Sequence, residues 1–262
     1  MSAAPIGIFD SGAGGLSILS GIHQLLPHEN LLYVADTAHA PYGPKGQEYI
    51  RARSESIMQF FLAQGVKAVV VACNTATAAA IADLRARYAL PIIGVEPAVK
   101  PAAAGSKSGV VGVLATRGTI TSEKFLNLQN RFNHAVEIIS CPCTGLVEQI
   151  EKLQLEPTVL QSMLQGFIQP LLDKGADTLV LGCTHYSLIK PEIRALAGAH
   201  IAIVDAGDAV ARELQRRLAE LDLLNGNIEP GRVSFFTSGS SEQQGLLLGR
   251  YWGKPVQVAG LP

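Results

Sequence analysis

Val69-Val70-Val71-Ala72-Cys73-Asn74-Thr75-Ala76-Thr77 is an apolar run of strand length that ends in a small residue, a cysteine and a polar cluster. A continuous run of branched apolar residues fits a strand buried on both faces, as in a parallel sheet. Cys73 then falls at the carboxyl end of that strand, where open α/β sheets bind ligands. The same arrangement returns in the second half of the chain, as Leu179-Val180-Leu181-Gly182-Cys183-Thr184-His185-Tyr186-Ser187. One cysteine in each half, in matched surroundings, predicts a site with a thiol on either side of a substrate.

Working outward from Cys73, Ile6–Phe9 reads as a first strand, followed by the glycine-rich turn Asp10-Ser11-Gly12-Ala13-Gly14-Gly15 and a helix from Leu16 to Leu25. Leu31–Ala35 reads as a second strand. The stretch 36–46 after it holds two prolines and two glycines, the signature of a shaped loop. A long amphipathic helix then runs to Gln64 and stops at Gly65. Lys67–Ala72, Asn74–Tyr88 and Pro91–Val95 complete the half as strand, helix and strand. In the second half, Val111–Leu114 and Val136–Ser140 match the first two strands at an offset of 105. The cysteine strands, and Ile201–Val204 against Pro91–Gly94, match at 110. Four strands recurring in order indicate an internal duplication. The tail is expected to form a helix at 209–221, a strand at 233–236, a helix at 242–250 and a strand at 255–258. It has no partner in the repeat and is expected to return to the first half. The fold class expected is α/β: two similar open, mainly parallel sheets, with the active site in the cleft between them. The domains expected are 1–97 with 208–262, and 98–207.

Composition narrows the function. A chain of 262 residues with 48% hydrophobic and 16% charged residues has ample material for packed cores. A net charge of -1 without a basic run argues against nucleic acid as a partner. The start resembles no signal peptide, and no apolar stretch reaches the length of a membrane span. Four cysteines in such a chain are expected to be free thiols, and a cytoplasmic location follows. Short paired Cys-x-x-Cys spacings are missing, so no zinc site is expected. In the glycine-rich turn, Ser17 stands where a dinucleotide fingerprint would need its third glycine.

Inverting a stereocentre by proton transfer needs an acid/base group on each face of one carbon. Cysteine suits this because both its protonation states are reachable near neutral pH. Cys73 precedes a helix start, where exposed amides and the helix dipole favour a thiolate. Asn74 and Thr75 offer donors to a substrate carboxylate. His185 is placed to exchange a proton with Cys183. Asp10, at the end of a strand adjacent to that of Cys73, is placed to assist Cys73. Cys141 and Cys143 have no matched counterparts and read as structural. Two other readings are open: a hydrolase using Cys183 with His185, and a non-catalytic amino-acid-binding protein.

With Asp10-Ser11-Gly12-Ala13-Gly14-Gly15, Ala35-Asp36, Pro41-Tyr42-Gly43, Ala72-Cys73-Asn74-Thr75 and Gly182-Cys183-Thr184-His185-Tyr186, the chain resembles the glutamate racemases among the cofactor-independent amino-acid racemases. The resemblance covers nearly the whole chain. It implies interconversion of L- and D-glutamate without pyridoxal phosphate or metal, supplying D-glutamate to peptidoglycan. It implies that Cys73 takes the α-proton from D-glutamate and Cys183 from L-glutamate. Asp10 would support the first thiol, and His185 with Glu148 the second. Asp10, Ser11, Pro41, Tyr42, Gly43, Asn74, Thr75, Thr116, Thr184 and His185 would hold the substrate. A homodimer is implied as well, with aspartate as the rival substrate. Between Pro142 and Leu146 the usual apolar stretch is replaced by the shorter, more polar Cys143-Thr144-Gly145. The N-terminal extension of some members is missing, which predicts no control by a peptidoglycan precursor.

Overall fold

The structure, a computed structural model, describes residues 2–262. The first half runs β1 (Ile6–Asp10), α1 (Leu16–Leu25), β2 (Leu31–Ala35), α2 (Gln47–Ala63), β3 (Ala68–Val71), α3 (Asn74–Arg87), β4 (Ile92–Gly94) and α4 (Val99–Gly105). The second runs β5 (Val110–Ala115), α5 (Arg117–Ile120), α6 (Glu123–Phe132), β6 (Glu137–Pro142), α7 (Leu146–Ile150), α8 (Pro157–Asp173), β7 (Thr178–Leu181), α9 (Thr184–Ser187), α10 (Lys190–Ala197) and β8 (Ala202–Val204). The tail adds α11 (Gly207–Glu220), β9 (Val233–Thr237), α12 (Ser241–Trp252) and β10 (Val258–Gly260).

These strands form two parallel sheets, of order β10-β9-β2-β1-β3-β4 and β6-β5-β7-β8. The strands β2-β1-β3-β4 correspond one to one with β6-β5-β7-β8. The tail does return to the first sheet, where β9 pairs with β2 and α11 packs on α1.

Register refines the repeat. Gly7 pairs with Leu32 and Val69, and Gly112 pairs with Ile139 and Leu179. The cysteine strands therefore match at 110, as the sequence indicates. The β2/β6 match is 107 (139 − 32) rather than 105. Side chains alternate with period two, so this two-residue slip leaves the same faces inward and the pattern alone does not detect it. The β4/β8 match is 111 (203 − 92, set by the partners Val69 and Leu179) rather than 110. β8 is an edge strand with half-exposed residues, so burial fixes its register weakly. The last strand starts at Val258 rather than Pro255. Gly253 ends α12 at a φ of 81°, and the backbone of 254–256 lies against the Gly245/Gly249 face of that helix.

Helices cover both faces of each sheet. On the first, Ile6, Ile8, Tyr33 and Val70 pack against α1 and α11. On its other face Phe9, Val34, Val69 and Val71 pack against α2 and α3. β1, β3 and β7 are buried at every residue, which is why they read as unbroken apolar runs. Burial of each such side chain stabilises the fold by roughly 1.5–3 kcal/mol. With the central strands held in this way, their carboxyl ends are fixed points, and Asp10, Cys73 and Cys183 follow those ends. Among the described residues no helix is long and apolar enough to cross a membrane.

Candidate active site

Cys73 leaves β3 in extended backbone and is the residue that caps α3, accepting the Ala76 N–H on its sulfur at 3.4 Å. The helix start therefore meets the thiol as its position in the sequence suggests. The thiol is nevertheless only 5% exposed. Burial, then the charge of Asp10, push the Cys73 thiol up, and the Ala76 amide only partly offsets them. So placed, Cys73 is held toward the thiol and not the thiolate that its helix position alone suggests.

Asp10 is fully buried at the end of β1. Its Oδ1 accepts from Gly12 N at 2.7 Å and from Ser11 Oγ at 3.4 Å. Ser11 Oγ in turn accepts from Cys73 Sγ at 3.9 Å. Asp10 thus reaches Cys73 through a hydroxyl rather than directly. Its Oδ2 accepts from Thr184 Oγ1 at 2.8 Å, beside Cys183. Burial raises the Asp10 carboxyl to about 6, against the lowering effects of the His185 charge, the Gly12 amide and the Thr184 hydroxyl.

Cys183 is the equivalent residue of the second sheet, 6% exposed and leading into the single turn α9. Its Sγ lies 3.9 Å from His185 Nδ1. The other ring nitrogen, Nε2, meets Glu151 Oε1 at 2.6 Å. Burial opposes a charge on His185. The hydrogen bonds with Cys183 and Glu151, and the charges of Asp10 and Glu151, outweigh it and hold the imidazole well above its ordinary value. His185 therefore carries a proton at neutral pH.

The glycine-rich turn 11–15 is the joint between the halves. Glu151 Oε1 also accepts from Ala13 N at 2.6 Å. A Cβ on Gly14 would stand 2.3 Å from His185 Nδ1 and 2.6 Å from the His185 backbone N. The turn is rich in glycine because His185 and Glu151 occupy the space that side chains would fill.

A family profile described as Asp/Glu/Hydantoin racemase matches residues 6–214. The chain belongs to this racemase family. It is 52% identical over 259 residues to the glutamate racemase of Ectopseudomonas mendocina, covering 98% of each chain. Among solved structures, a glutamate racemase isoform from Bacillus anthracis is 32% identical with a TM-score of 0.89, over 100% of this chain and 98% of that one. The Escherichia coli glutamate racemase, solved with L-glutamate and the activator UDP-MurNAc-ala, is 32% identical with a TM-score of 0.84, over 98% and 97%.

The other candidate residues lie at the start of α3, in the turn before α5 and in the loop after β2. Thr75 Oγ1 lies 2.9 Å from Thr116 Oγ1 and 3.3 Å from Thr119 Oγ1, a hydroxyl triangle that joins α3 to α5. Asn74 is buried, with Nδ2 reaching Val95 O at 3.5 Å. Pro41, after a cis Ala40–Pro41 bond, lines a cavity of about 120 Å³ with Gly43, Thr116 and Glu148. Tyr42 is buried against the apolar residues around Cys73. Glu148 is the correction: it is exposed, and the carboxylate that meets His185 is Glu151. On α7, Leu146, Val147 and Ile150 face inward. Glu151 follows Val147 by four residues and shares its inward side, whereas Glu148 points to the rim. Helical spacing was the available signal for Glu151. Nothing local marks Thr119, whose hydroxyl is brought to Thr75 by the packing of α5 on α3.

Cys143 is buried, in keeping with its structural reading. It packs in the same apolar cluster as Cys183 and Tyr186, and its carbonyl accepts the Tyr186 hydroxyl at 3.4 Å.

Proposed function

We propose that this protein is a glutamate racemase in which Cys73 and Cys183 work on opposite faces of the α-carbon. The observation that carries the reading is the pairing of two thiols, each at the carboxyl end of the equivalent strand of its sheet, and each with its own proton partner. From D-glutamate, Cys73 removes the α-proton, its own proton having passed through Ser11 toward Asp10. Cys183 then delivers a proton to the other face, and His185 replenishes it. From L-glutamate the same steps run in reverse. The carbanion formed next to the carboxylate is stabilised by the fixed donors of Asn74 and Thr75, with water excluded. No cofactor or metal is needed for this sequence of transfers.

Cys73 and Cys183 are only 5% and 6% exposed, so a substrate cannot reach both sulfurs from solvent with the cleft as it stands. Glutamate therefore enters by an opening of the cleft, and closure dries the site. The sheet pairing of β9 and β10 supports treating residues 1–97 with 208–262 as one moving unit and 98–207 as the other. Four free cysteines fit a reducing, cytoplasmic setting. The family resemblance supports a homodimer that supplies D-glutamate to peptidoglycan.

The test is proton NMR of the purified protein in deuterated water with L-glutamate, and with L-aspartate in a parallel sample. The expected result is loss of the α-proton signal together with falling optical rotation, for glutamate only and with nothing added. Exchange of neither amino acid would remove the reading.

A further inference from the structure

Asp36 belongs to the Ala35-Asp36 motif but has no role in the proton transfers above. It sits one residue beyond β2, where its N–H donates to Asp10 O at 3.0 Å and so extends the β1–β2 ladder. Its side chain is fully buried. Arg53, on α2, grips it with two hydrogen bonds, Nη2 to Oδ1 at 2.9 Å and Nε to Oδ2 at 3.1 Å. Tyr42 donates its hydroxyl to the same Oδ2 at 2.5 Å. Burial pushes the Asp36 carboxyl up, but Arg53 and Tyr42 outweigh it and hold the group below its ordinary value. Asp36 is therefore ionised and can only accept.

That assignment fixes what Tyr42 can do. Its hydroxyl proton is committed to Asp36, so it has none to give a substrate. What it contributes is place. Its ring packs among Phe9, Val34, Ile50 and Cys73, and the backbone on either side carries Pro41 and Gly43. Gly43 lies against the α5 turn, close enough that a Cβ on Gly118 would stand 2.8 Å from Gly43 O. His185, Glu151 and Thr184 take their hydrogen bonds from each other's neighbourhood, from Ala13 and from Asp10.

We propose that Asp36 and Arg53 are positioning residues of the Cys73 half of the site: their ion pair, with Asp36 buried and Arg53 partly exposed, fixes Tyr42 in the apolar cluster it shares with Cys73, and through it the Pro41–Gly43 loop. The inference rests on the racemase reading and deepens it, since it assigns the clamp to one of the two proton transfers. Loosening it raises the barrier for transfer at Cys73 more than for transfer at Cys183. That makes the Cys73 step more limiting in both directions of turnover. Deuterium on the α-carbon of D-glutamate moves in that step, whereas deuterium on L-glutamate moves in the other.

The experiment measures kcat/KM and the primary deuterium isotope effect from each enantiomer, for wild type, Arg53→Met, Arg53→Lys and Tyr42→Phe. Arg53→Met is expected to lose about 10- to 100-fold in kcat/KM, the cost of small misplacements in an active site. Its isotope effect should rise from D-glutamate and shrink from L-glutamate. Arg53→Lys should restore part of both changes, and Tyr42→Phe should show the same asymmetry in weaker form. Wild-type kcat/KM in Arg53→Met would overturn the clamp, as would a loss with both isotope effects unchanged or changed equally. If Arg53→Met does not fold, the asymmetry in Tyr42→Phe decides by itself. Wild-type turnover in the same assay tests the racemase reading separately.

Discussion

Cys73 reaches a carboxylate through a hydroxyl; Cys183 lies beside an imidazole gripped by a carboxylate. The two thiols leave equivalent strands, stand at the N-cap positions of the helices that follow, where only Cys73 accepts a backbone N–H on its sulfur, and are almost equally buried. Their surroundings differ in charge. The Cys73 side has Asp10, an anion above about pH 6 that is held in a dry pocket. The Cys183 side has a buried His185–Glu151 ion pair. A duplicated backbone thus supplies two matched positions, and different loops supply opposite electrostatics. A reaction that runs in both directions through one carbon needs matched positions. It does not need matched partners, only a proton source and sink at each end.

The largest test removes one end at a time. Cys73→Ser and Cys183→Ser should each lose about 10²–10⁴-fold in racemisation, the usual worth of a positioned acid or base. Single-turnover exchange in deuterated water should show which enantiomer each variant still deprotonates. Near-normal turnover in either variant would end the two-thiol mechanism.

A smaller change sharpens the Cys183 side. Glu151→Gln leaves His185 without its anionic partner and should cost about 10²-fold in kcat/KM. Glu148→Gln alters the rim and should stay within about twofold, as exposed substitutions do. Equal losses in the two variants would contradict the assignment of Glu151.

The Cys73 side is read by pH. With its carboxyl raised to about 6, Asp10 is neutral below that value and an acceptor above it. The acid limb of kcat/KM should therefore break near pH 6, and Asp10→Asn should abolish that limb along with most activity. The same shift has a stability sign. A carboxyl raised in the fold binds its proton more tightly there, so its contribution falls as pH rises from about 4 to about 6. Urea midpoints across that window should fall less steeply in Asp10→Asn.

The smallest effect on chemistry comes from a charge pair remote from both thiols. Lys67 Nζ meets Glu29 Oε2 at 2.5 Å, with both side chains 3% exposed. The Glu29 Oε1 accepts from Asn225 N, and Lys67 also donates to Ser2 O. Lys67→Met strands a buried carboxylate and should destabilise the fold by about 3–5 kcal/mol. Activity per folded molecule should be unchanged at low temperature. A loss of kcat with no fall in the denaturation midpoint would show that this pair also tunes the site.

Much of this molecule is local enough to be read from the chain. Branched apolar runs without polar interruption announce strands buried on both faces, and β1, β3 and β7 are such strands. Their ends place Asp10, Cys73 and Cys183, because a side chain at the end of a buried strand has little freedom to be elsewhere. The duplication, the return of the tail and the two thiols are all properties of pattern and order. The tertiary structure decided what depends on meetings across long sequence separations. It chose Glu151 over Glu148: helical spacing puts Glu151 on the side of Val147, but only the docking of α7 says that this side faces His185. It held Cys73 toward the thiol, since the helix start acts over one turn while desolvation is imposed by every element packed around the sulfur. It gave Asp10 contacts on both sides of the site, and brought Arg53 to Asp36 and Tyr42. Hydrophobic period is written residue by residue; burial and electrostatics are sums over neighbours that only the folded chain assembles.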